Sequence, residues 1–335
     1  MQNHARRRFL KGVTAAGAAG LIGWPSPAIA EPPPETSTVR LARFSPAGCE
    51  VPQYIAADLL RAEGFTDVRL VEGDYSVDTS VWLARGEIDF DWNYAATLIG
   101  SMNAGVPLTV LTGLHSGCLE LIANDSVKSI ADLRGKRVGV FSVSSSPHIL
   151  LTLMAAYIGL DPNNDIQWIT NEETSPKDLF IDGKIDAFLA TAPEPQDLRA
   201  RRIGHTILDT TIDRPWSQYY CCMLAGNAVY VSKYPVATKR ILRAILKAVD
   251  LCASNPELAA KQLAGGKFTD RQDLTLEALG DARYDRWREF DPEDTMRFYA
   301  LRMQETGLSK LTPQQIIADG TDWRILNELK RELKM

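Results

Sequence analysis

The sequence predicts an α/β protein built from two similar lobes and followed by a helical C-terminal region. From Val39 onward, short β-branched runs alternate with helical stretches, which is typical of largely parallel sheets. One pattern occurs twice, as a helix end, a glycine, a charged residue and Ile-Asp before a strand, in Leu83–Phe90 and Phe180–Phe188. After Val236 the pattern is almost entirely helical. A helical region of this length needs a lobe to pack on, and we expect it on the first.

The elements follow in order from hydrophobic period and turn residues. Alternating or β-branched runs predict strands, and apolar residues three to four apart predict helices that end at glycines such as Gly64, Gly86 and Gly159. Strands are predicted at Val39–Phe44, Asp67–Glu72, Ile88–Trp92, Leu108–Thr112, Leu119–Ala123, Arg137–Phe141, Ile166–Thr170, Ala187–Thr191 and His205–Asp209. The main helices are predicted at Val51–Ala62, Val77–Arg85, Ser129–Leu133, His148–Ile158, Ala237–Ala253, Glu257–Leu263, Pro292–Glu305, Pro313–Ala318 and Trp323–Leu333.

Length and composition exclude several classes of protein. The 335 residues are 45 % hydrophobic, which excludes a disordered or collagen-like chain and is enough for two domains with cores of their own. The 37 Lys and Arg residues are outnumbered by 42 Asp and Glu residues, a net charge of −5. Because nucleic-acid binding needs clustered basic residues to replace counterions, we predict no nucleic-acid partner.

The first thirty residues have the features of a cleavable export signal. They contain no acidic residue, and Gly12–Trp24 is too short to span a membrane, which takes about 20 apolar residues. Small residues at Ala28 and Ala30 fit a cleavage site. Arg6–Lys11 (RRRFLK) resembles the twin-arginine motif, which directs the export of folded proteins. We therefore predict a periplasmic protein with a net charge of −9 after cleavage; the alternative is a basic amphipathic anchor that stays attached.

Five cysteines follow the predicted signal: Cys49, Cys118, Cys221, Cys222 and Cys252. Their number is odd and folding before export takes place in a reducing compartment, so we assume no disulfide. The apolar helical pattern around Cys252 predicts a buried thiol. Neighbouring side chains on a strand point to opposite faces, so we expect one of Cys221 and Cys222 to be buried and the other to face a cleft.

Two segments of the second lobe resemble a known family. Asp132–Val140 (DLRGKRVGV) and Ser144–Leu151 (SSSPHILL) are similar to motifs of the periplasmic substrate-binding proteins of ABC importers. The branch they resemble is the SsuA/THI5-like (NMT1-like) group, which serves nitrate, sulfonates, taurine and thiamine precursors. Gly105–Leu108 (GVPL) and the two Gly-x-Ile-Asp segments also match, and the resemblance covers about residues 38 to 260.

This resemblance implies a two-lobed type II periplasmic-binding-protein fold of the Venus-flytrap kind, with the helical C-terminal region on lobe one. Its implied parts are a signal peptide at 1–30, a leader at 31–37, lobe one at 38–122 plus 226–335, and lobe two at 123–225. It implies a monomer that captures a small organic solute, anionic or heterocyclic, and passes it to a membrane ABC permease. Neither a cofactor, a resident metal nor a catalytic step is expected.

Candidate ligand-binding residues lie where strands end and helices begin, since open α/β sheets present ligands there. The serines and His148 start a helix whose backbone N–H groups favour an anion, although ordinary N-capping also explains a serine there. The aromatic residues before the second crossing suit a planar or amine-bearing ligand, with core packing as the alternative. The predicted ligand-binding residues are Phe44, Ser45, Cys49, Asn93, Tyr94, His115, Ser144, Ser145, Ser146, His148, Thr191, Glu194, Trp216 and Tyr220.

Two other functions remain open. Thiamine-precursor synthases of the THI5 type carry a longer cysteine cluster associated with iron, and the pair Cys221-Cys222 is a short form of it that weakens the case for such an enzyme. His115 and Cys118 have metal-ligand spacing and could join Cys49, but two dispersed residues are no metal motif, so no metal site is predicted. A Ser145–His148 catalytic pair lacks an orienting acid. A periplasmic sensor of the same ligand is the third possibility.

Overall fold

The computed structural model describes residues 31–43, 48–73, 78–171 and 173–332. The chain divides into two compact units, residues 1–33 and 34–335, and the second contains every element given below. The predicted signal at 1–30 lies outside the described residues. Among the helices of the described residues, none is both long enough and apolar enough to cross a membrane.

Ten strands and thirteen α-helices make up the second unit over its described residues. The strands are β1 Thr38–Ala42, β2 Asp67–Val71, β3 Phe90–Tyr94, β4 Leu108–His115, β5 Leu119–Ala123, β6 Arg137–Gly139, β7 Gln167–Ile169, β8 Ala187–Thr191, β9 His205–Asp209 and β10 Cys222–Asn227. The helices are α1 Val51–Ala62, α2 Thr79–Ala84, α3 Ala95–Asn103, α4 Ser146–Tyr157, α5 Pro176–Ile181, α6 Glu194–Arg201, α7 Ala228–Lys233, α8 Pro235–Ser254, α9 Pro256–Gly265, α10 Gln272–Asp281, α11 Pro292–Glu305, α12 Pro313–Gly320 and α13 Arg324–Glu332.

The strands form two five-stranded sheets with the same plan. The first has the order β2-β1-β3-β10-β4 and the second the order β7-β6-β8-β5-β9. In each sheet the first three strands are parallel, and the fourth runs antiparallel to both of its neighbours. This confirms the predicted α/β class, with two sheets of the same plan.

The chain passes between the sheets at residues 116–118 and 210–221. Strand β5 belongs wholly to the second sheet and β10 to the first. The family resemblance implied lobe boundaries after residues 122 and 225, a few residues C-terminal to these crossings. The division into lobes stays a prediction.

A partly buried ion pair occupies the same place in both sheets and explains the repeated Ile-Asp. The Asp89 carboxylate accepts hydrogen bonds from the backbone N–H of Arg40 (2.8 Å) and from its guanidinium (2.6 and 3.1 Å). Asp186 binds the backbone N–H and guanidinium of Arg137 in the same way, at 2.8–3.1 Å. The hydrogen bond from Arg137 lowers the pKa of Asp186 to about 2. Each pair joins the turn before β3 or β8 to the neighbouring parallel strand.

The C-terminal helices cover the first sheet. Helix α8 packs along α1, where Arg243 on α8 holds Glu63 at the end of α1 through a bidentate ion pair of 2.7–3.1 Å. Arg243 lowers the pKa of Glu63 against the effect of burial, which alone would raise it. Helix α11 packs on α3. The predicted helical C-terminal region on the first lobe is thereby confirmed.

Removing the two equivalent aspartates is expected to have unequal effects. Asp89→Ala removes a carboxylate that is 5 % exposed and leaves the Arg40 guanidinium, which is 31 % exposed, without its partner, and it should lower the free energy of unfolding by about 2–4 kcal/mol. Asp186→Ala should cost only about 1–3 kcal/mol, because the Arg137 side chain is 41 % exposed and water replaces its partner. Urea unfolding of both variants measures the difference, with Asp125→Ala at a fully exposed position as control. Equal losses for the two variants would contradict this account.

Candidate functional site

The two crossings of the chain meet where β3, β4, β5 and β10 come together. The start of β10 lies between the ends of its neighbours, with Cys222 opposite Tyr94 of β3 on one side and His115 of β4 on the other. Asn93 and Tyr94 are the last two residues of β3, rather than residues after it as predicted. The sheet ends one residue before α3 begins, so Tyr94 is also the N-cap of that helix.

Four thiols and one imidazole assemble at this junction, and we call them the thiol cluster: Cys49, His115, Cys118, Cys221 and Cys222. One ligand atom from each of Cys49, His115, Cys118 and Cys222 lies within 4.8 Å of the others. The Cys118 and Cys221 sulfurs are 3.1 Å apart. All five side chains are buried, and none of the four cysteines is in a disulfide.

Electrostatics in the thiol cluster single out one cysteine. Burial raises the pKa of Cys221 and Cys222 well above the usual value, and a hydrogen bond to Cys118 does the same for Cys49. Burial also opposes ionisation of Cys118, but hydrogen bonds from the three neighbouring thiols stabilise its thiolate and lower its pKa well below the usual value. The cluster therefore favours one thiolate, held by three thiol donors.

His115 and Cys118 are both placed at some cost. His115 is fully buried, and neither of its ring nitrogens makes a hydrogen bond of ordinary geometry. Burial lowers its pKa, so the imidazole is neutral. Cys118 has a φ of +124°, a region that residues with a Cβ rarely adopt and that costs about 1–3 kcal/mol. The expectation that His115 and Cys118 are dispersed is therefore corrected. The loop between β4 and β5 brings both side chains into the same cluster.

The first turns of α3 and α4 meet beside this junction. The Thr97 hydroxyl of α3 lies 2.9 Å from the Ser146 hydroxyl of α4, so the two helices are joined at their N-terminal ends. The N-terminus of a helix carries unpaired N–H groups and a partial positive charge. Two such ends close together repel each other and favour a negatively charged group between them.

The serine loop before α4 is shaped by its own hydrogen bonds. Ser145 is the N-cap residue, but its hydroxyl donates to the Ser142 carbonyl oxygen (2.7 Å) and makes no capping bond to the helix. Ser144 has a φ of +81°, and its backbone N–H donates to Nδ1 of His148 (3.2 Å). Burial lowers the pKa of His148, whose ring packs edge-on against Trp168. Ordinary serine capping, the alternative considered from sequence, is therefore not what Ser145 does.

Thr191 and Glu194 lie at the start of α6 beside a cavity of about 530 Å³. The Thr191 N–H donates to the Glu194 carboxylate (3.2 Å). Burial raises the pKa of Glu194 despite that bond. The opposite wall of the cavity includes Lys267 and Arg271, from the loop between α9 and α10. This cavity therefore joins a residue of the second sheet to the C-terminal helical region.

Two predicted aromatic contacts are corrected, because both residues are used inside the fold. Tyr220 is 1 % exposed, and its hydroxyl donates to the carbonyl oxygens of Trp287 and Phe290. Its ring lies flat on the backbone of β4, where a Cβ on Gly113 would come within 2.2 Å of it. Trp216 is 3 % exposed and packs against rings of α4 and α11. Core packing, the alternative considered from sequence, describes both.

The other sequence expectations have mixed outcomes. Cys221 and Cys222 are both buried, which corrects the expectation that one faces a cleft. Cys252 is buried within α8, as predicted. Phe44 and Ser45 lie outside the described residues, so their binding role stays a prediction. The predicted ligand-binding set missed Cys118, Cys221 and Cys222 of the thiol cluster and Thr97 at the start of α3. The repeated cysteines near the crossings were the available signal for the thiols.

Asn93 faces a buried polar network rather than open space. Its amide lies 3.3 Å from the Asp91 carboxylate and 3.4 Å from the Thr79 hydroxyl, and its own side-chain oxygen accepts from the Tyr94 N–H. Thr79 also donates to Asp91 (2.7 Å). Burial raises the pKa of Asp91 to about 7, with a further contribution from Asp78. The network therefore positions Tyr94 through Asn93, and it corrects the expectation that the Asn93 amide contacts a ligand.

Asp91 is expected to make stability depend on pH. Its folded-state pKa is raised, so the folded protein keeps a proton that the unfolded chain loses above about pH 4, and stability falls as pH rises toward about 7. Between pH 5 and pH 8 wild type should lose about 2 kcal/mol more than Asp91→Asn. Urea unfolding at both values measures this, with Asp125→Asn as the exposed control. Identical pH profiles for wild type and Asp91→Asn would rule out a raised pKa at Asp91.

Comparison with known proteins places this geometry in a family. The family model described as NMT1/THI5 like matches residues 56–259. A protein of Brucella abortus (strain 2308), which bears the name of a binding protein, is 30 % identical over 160 residues, 47 % of this chain and 49 % of that protein. The chain thus spans about half the length of the curated relatives it matches.

Solved structures share the fold at low identity. The periplasmic nitrate-binding protein NrtA of Synechocystis PCC 6803 superposes with a TM-score of 0.72 at 16 % identity, over 90 % of each chain. The alkanesulfonate-binding protein SsuA of Xanthomonas axonopodis pv. citri superposes with a TM-score of 0.67 at 16 % identity, over 83 % of this chain and 96 % of that one. The chain therefore has the periplasmic-binding-protein fold that the sequence motifs predicted. Because the family model spans more than half of its length, this chain belongs to the NMT1/THI5-like family.

Proposed function

We propose that this protein is the solute-binding component of an ABC importer, which binds a small organic anion at the junction of the two sheets and delivers it to a membrane permease. Family membership and fold support the class of protein. They leave the ligand open, since one scaffold serves chemically different solutes. The proposed location is the periplasm, after export by a cleavable twin-arginine signal, and the proposed state is a monomer.

The observation that carries the anionic ligand is the meeting of the first turns of α3 and α4. Thr97 follows a strand of the first sheet, and Ser146 follows one of the second, so the 2.9 Å contact between their hydroxyls joins the two halves of the molecule. A carboxylate or sulfonate group bound here would accept hydrogen bonds from the N–H groups of both helices at once. Binding would then stabilise the arrangement in which the two sheets are close, as hinge closure requires.

The neighbouring side chains suit an organic solute. Tyr94, half-buried at the N-cap of α3, offers an aromatic wall. Ser144 and Ser145 hold the loop before α4 in shape and leave its N–H groups uncovered by a side-chain cap. Thr191 and Glu194 line the separate cavity of about 530 Å³, where the half-buried Glu194 carboxyl would bind an amine or hydroxyl of a solute. These roles are part of the proposal.

The alternative of a THI5-like or metal-dependent enzyme is supported by the thiol cluster, in which Cys118 favours the thiolate. A nucleophile must reach its substrate, however, and the five side chains of the thiol cluster are at most 9 % exposed. Binding without chemistry is therefore the function we propose. A periplasmic sensor would use the same binding step and differ only in the membrane protein that it contacts.

Loss of the serine hydroxyls should weaken anion binding. The Ser145→Ala/Ser146→Ala double variant removes the bond that shapes the loop and the contact to Thr97, and should lower affinity about tenfold to a hundredfold. Isothermal titration with nitrate, methanesulfonate, taurine and benzoate identifies the anion that wild type binds and then measures the variant. Ser126→Ala, at an exposed turn, is the matched control and should bind like wild type. Unchanged affinity in the double variant would sink the proposed anion site.

A further inference from the structure

We propose that Cys49, His115, Cys118 and Cys222 form a tetrahedral zinc site at the crossing between the two sheets. The inference goes beyond the proposed function and does not depend on which solute the protein binds. Three sulfurs and one imidazole nitrogen are a donor set of structural zinc sites. Thiolate ligands exclude Mg²⁺ and Ca²⁺, which prefer oxygen, and four donors of this kind suit Zn²⁺.

The positions of the donors fit a single ion. With zinc at ordinary bond lengths, about 2.3 Å to sulfur and 2.0–2.1 Å to nitrogen, the edges of the tetrahedron are about 3.5–3.8 Å long. The four donor atoms lie within 4.8 Å of one another. Contraction by about 1 Å at the longest edge, shared between two side chains, brings them to bonding distance around one centre.

Burial gives an independent reason for a ligand at this point. His115 is 0 % exposed and has no ordinary hydrogen bond at either ring nitrogen, although buried polar groups in proteins almost always have partners. A metal ion supplies that partner for one nitrogen. Cys118 occupies a strained backbone conformation, at φ +124°, that directs its thiol into the same cluster. Strain of this kind persists where the surroundings determine it, and it concentrates at functional sites.

The donors come from three separate parts of the chain, since His115 and Cys118 flank the same short crossing between β4 and β5. Cys49 lies in the 3₁₀ turn before α1, His115 ends β4, Cys118 precedes β5, and Cys222 begins β10. One ion would therefore connect the segments that carry the chain from the first sheet to the second and back. Closed sites with four protein ligands stabilise the fold, in contrast to catalytic sites, which keep one position open. We therefore assign this ion a structural role at the hinge.

Binding is an exchange of protons for the metal. All three cysteines coordinate Zn²⁺ as thiolates, any proton that a coordinating thiol still carries passes to solvent, and the His115 imidazole binds through the lone pair of one ring nitrogen. Cys221 is outside the set. Its sulfur lies 3.1 Å from that of Cys118, so a Cys118–Cys221 disulfide is the competing state, and it would remove one ligand.

The test uses the full chain, reduced and stripped of metal with a chelator, and zinc sulfate as the only addition. After desalting, elemental analysis should give one zinc per chain, and the midpoint of thermal unfolding should rise by about 5 °C. When cobalt(II) replaces zinc in the wild-type protein, the thiolate-to-cobalt charge-transfer band should have the intensity expected of three coordinating sulfurs. This measurement needs no variant. Reduced wild type that retains no zinc after desalting overturns the proposal.

Variants separate the four ligands from the two other cysteines. Cys222→Ser and His115→Ala should each weaken zinc binding at least a hundredfold. Cys221→Ser and Cys252→Ala are matched controls, one beside the set and one buried in α8, and both should retain one zinc per chain. If Cys222→Ser fails to fold, the cobalt spectrum of wild type and the two controls still decide the matter. Equal loss of zinc in Cys252→Ala and Cys222→Ser would contradict a specific site.

Discussion

The return of the chain to the first sheet is the constraint on which the rest of the structure depends. Strand β10 enters that sheet between β3 and β4 only after the chain has formed all five strands of the second sheet, β5 to β9. It cannot withdraw without leaving backbone N–H and C=O groups of both neighbours unpaired in the core. The two crossings therefore lie side by side. The sulfur of Cys118 in the first crossing is 3.1 Å from the sulfur of Cys221 in the second.

The candidate chemistry follows from that constraint. The crossings bring the buried thiols and the His115 imidazole together at the junction. The helices α3 and α4, which begin beside it, bring backbone N–H groups and hydroxyls together. Tyr94 connects the two, since it caps α3 and lies close enough to the thiol cluster for Cys118 and Cys49 to add to the effect of burial in raising its pKa. A solute bound at the helix ends and an ion bound among the thiols would thus act on the same hinge.

Local patterns predicted much of the fold, and non-local assembly explains what they missed. Val51–Ala62, Leu119–Ala123 and Ala187–Thr191 have the predicted bounds, because hydrophobic period and turn residues are read within one element. The repeated Ile-Asp indicated the shared plan of the two sheets. Tyr220, by contrast, has the same sequence signature whether it faces a ligand or the core. The thiol cluster draws on three distant segments, so only the tertiary fold reveals it.

Native mass spectrometry of the gently purified protein tests the central claim most directly, since a tightly bound solute often survives purification. The account predicts one small organic anion per chain, released unchanged when the protein is denatured. A chain covalently modified by its ligand, or a released molecule that differs from the one supplied, would contradict binding without chemistry and favour an enzyme on the same fold.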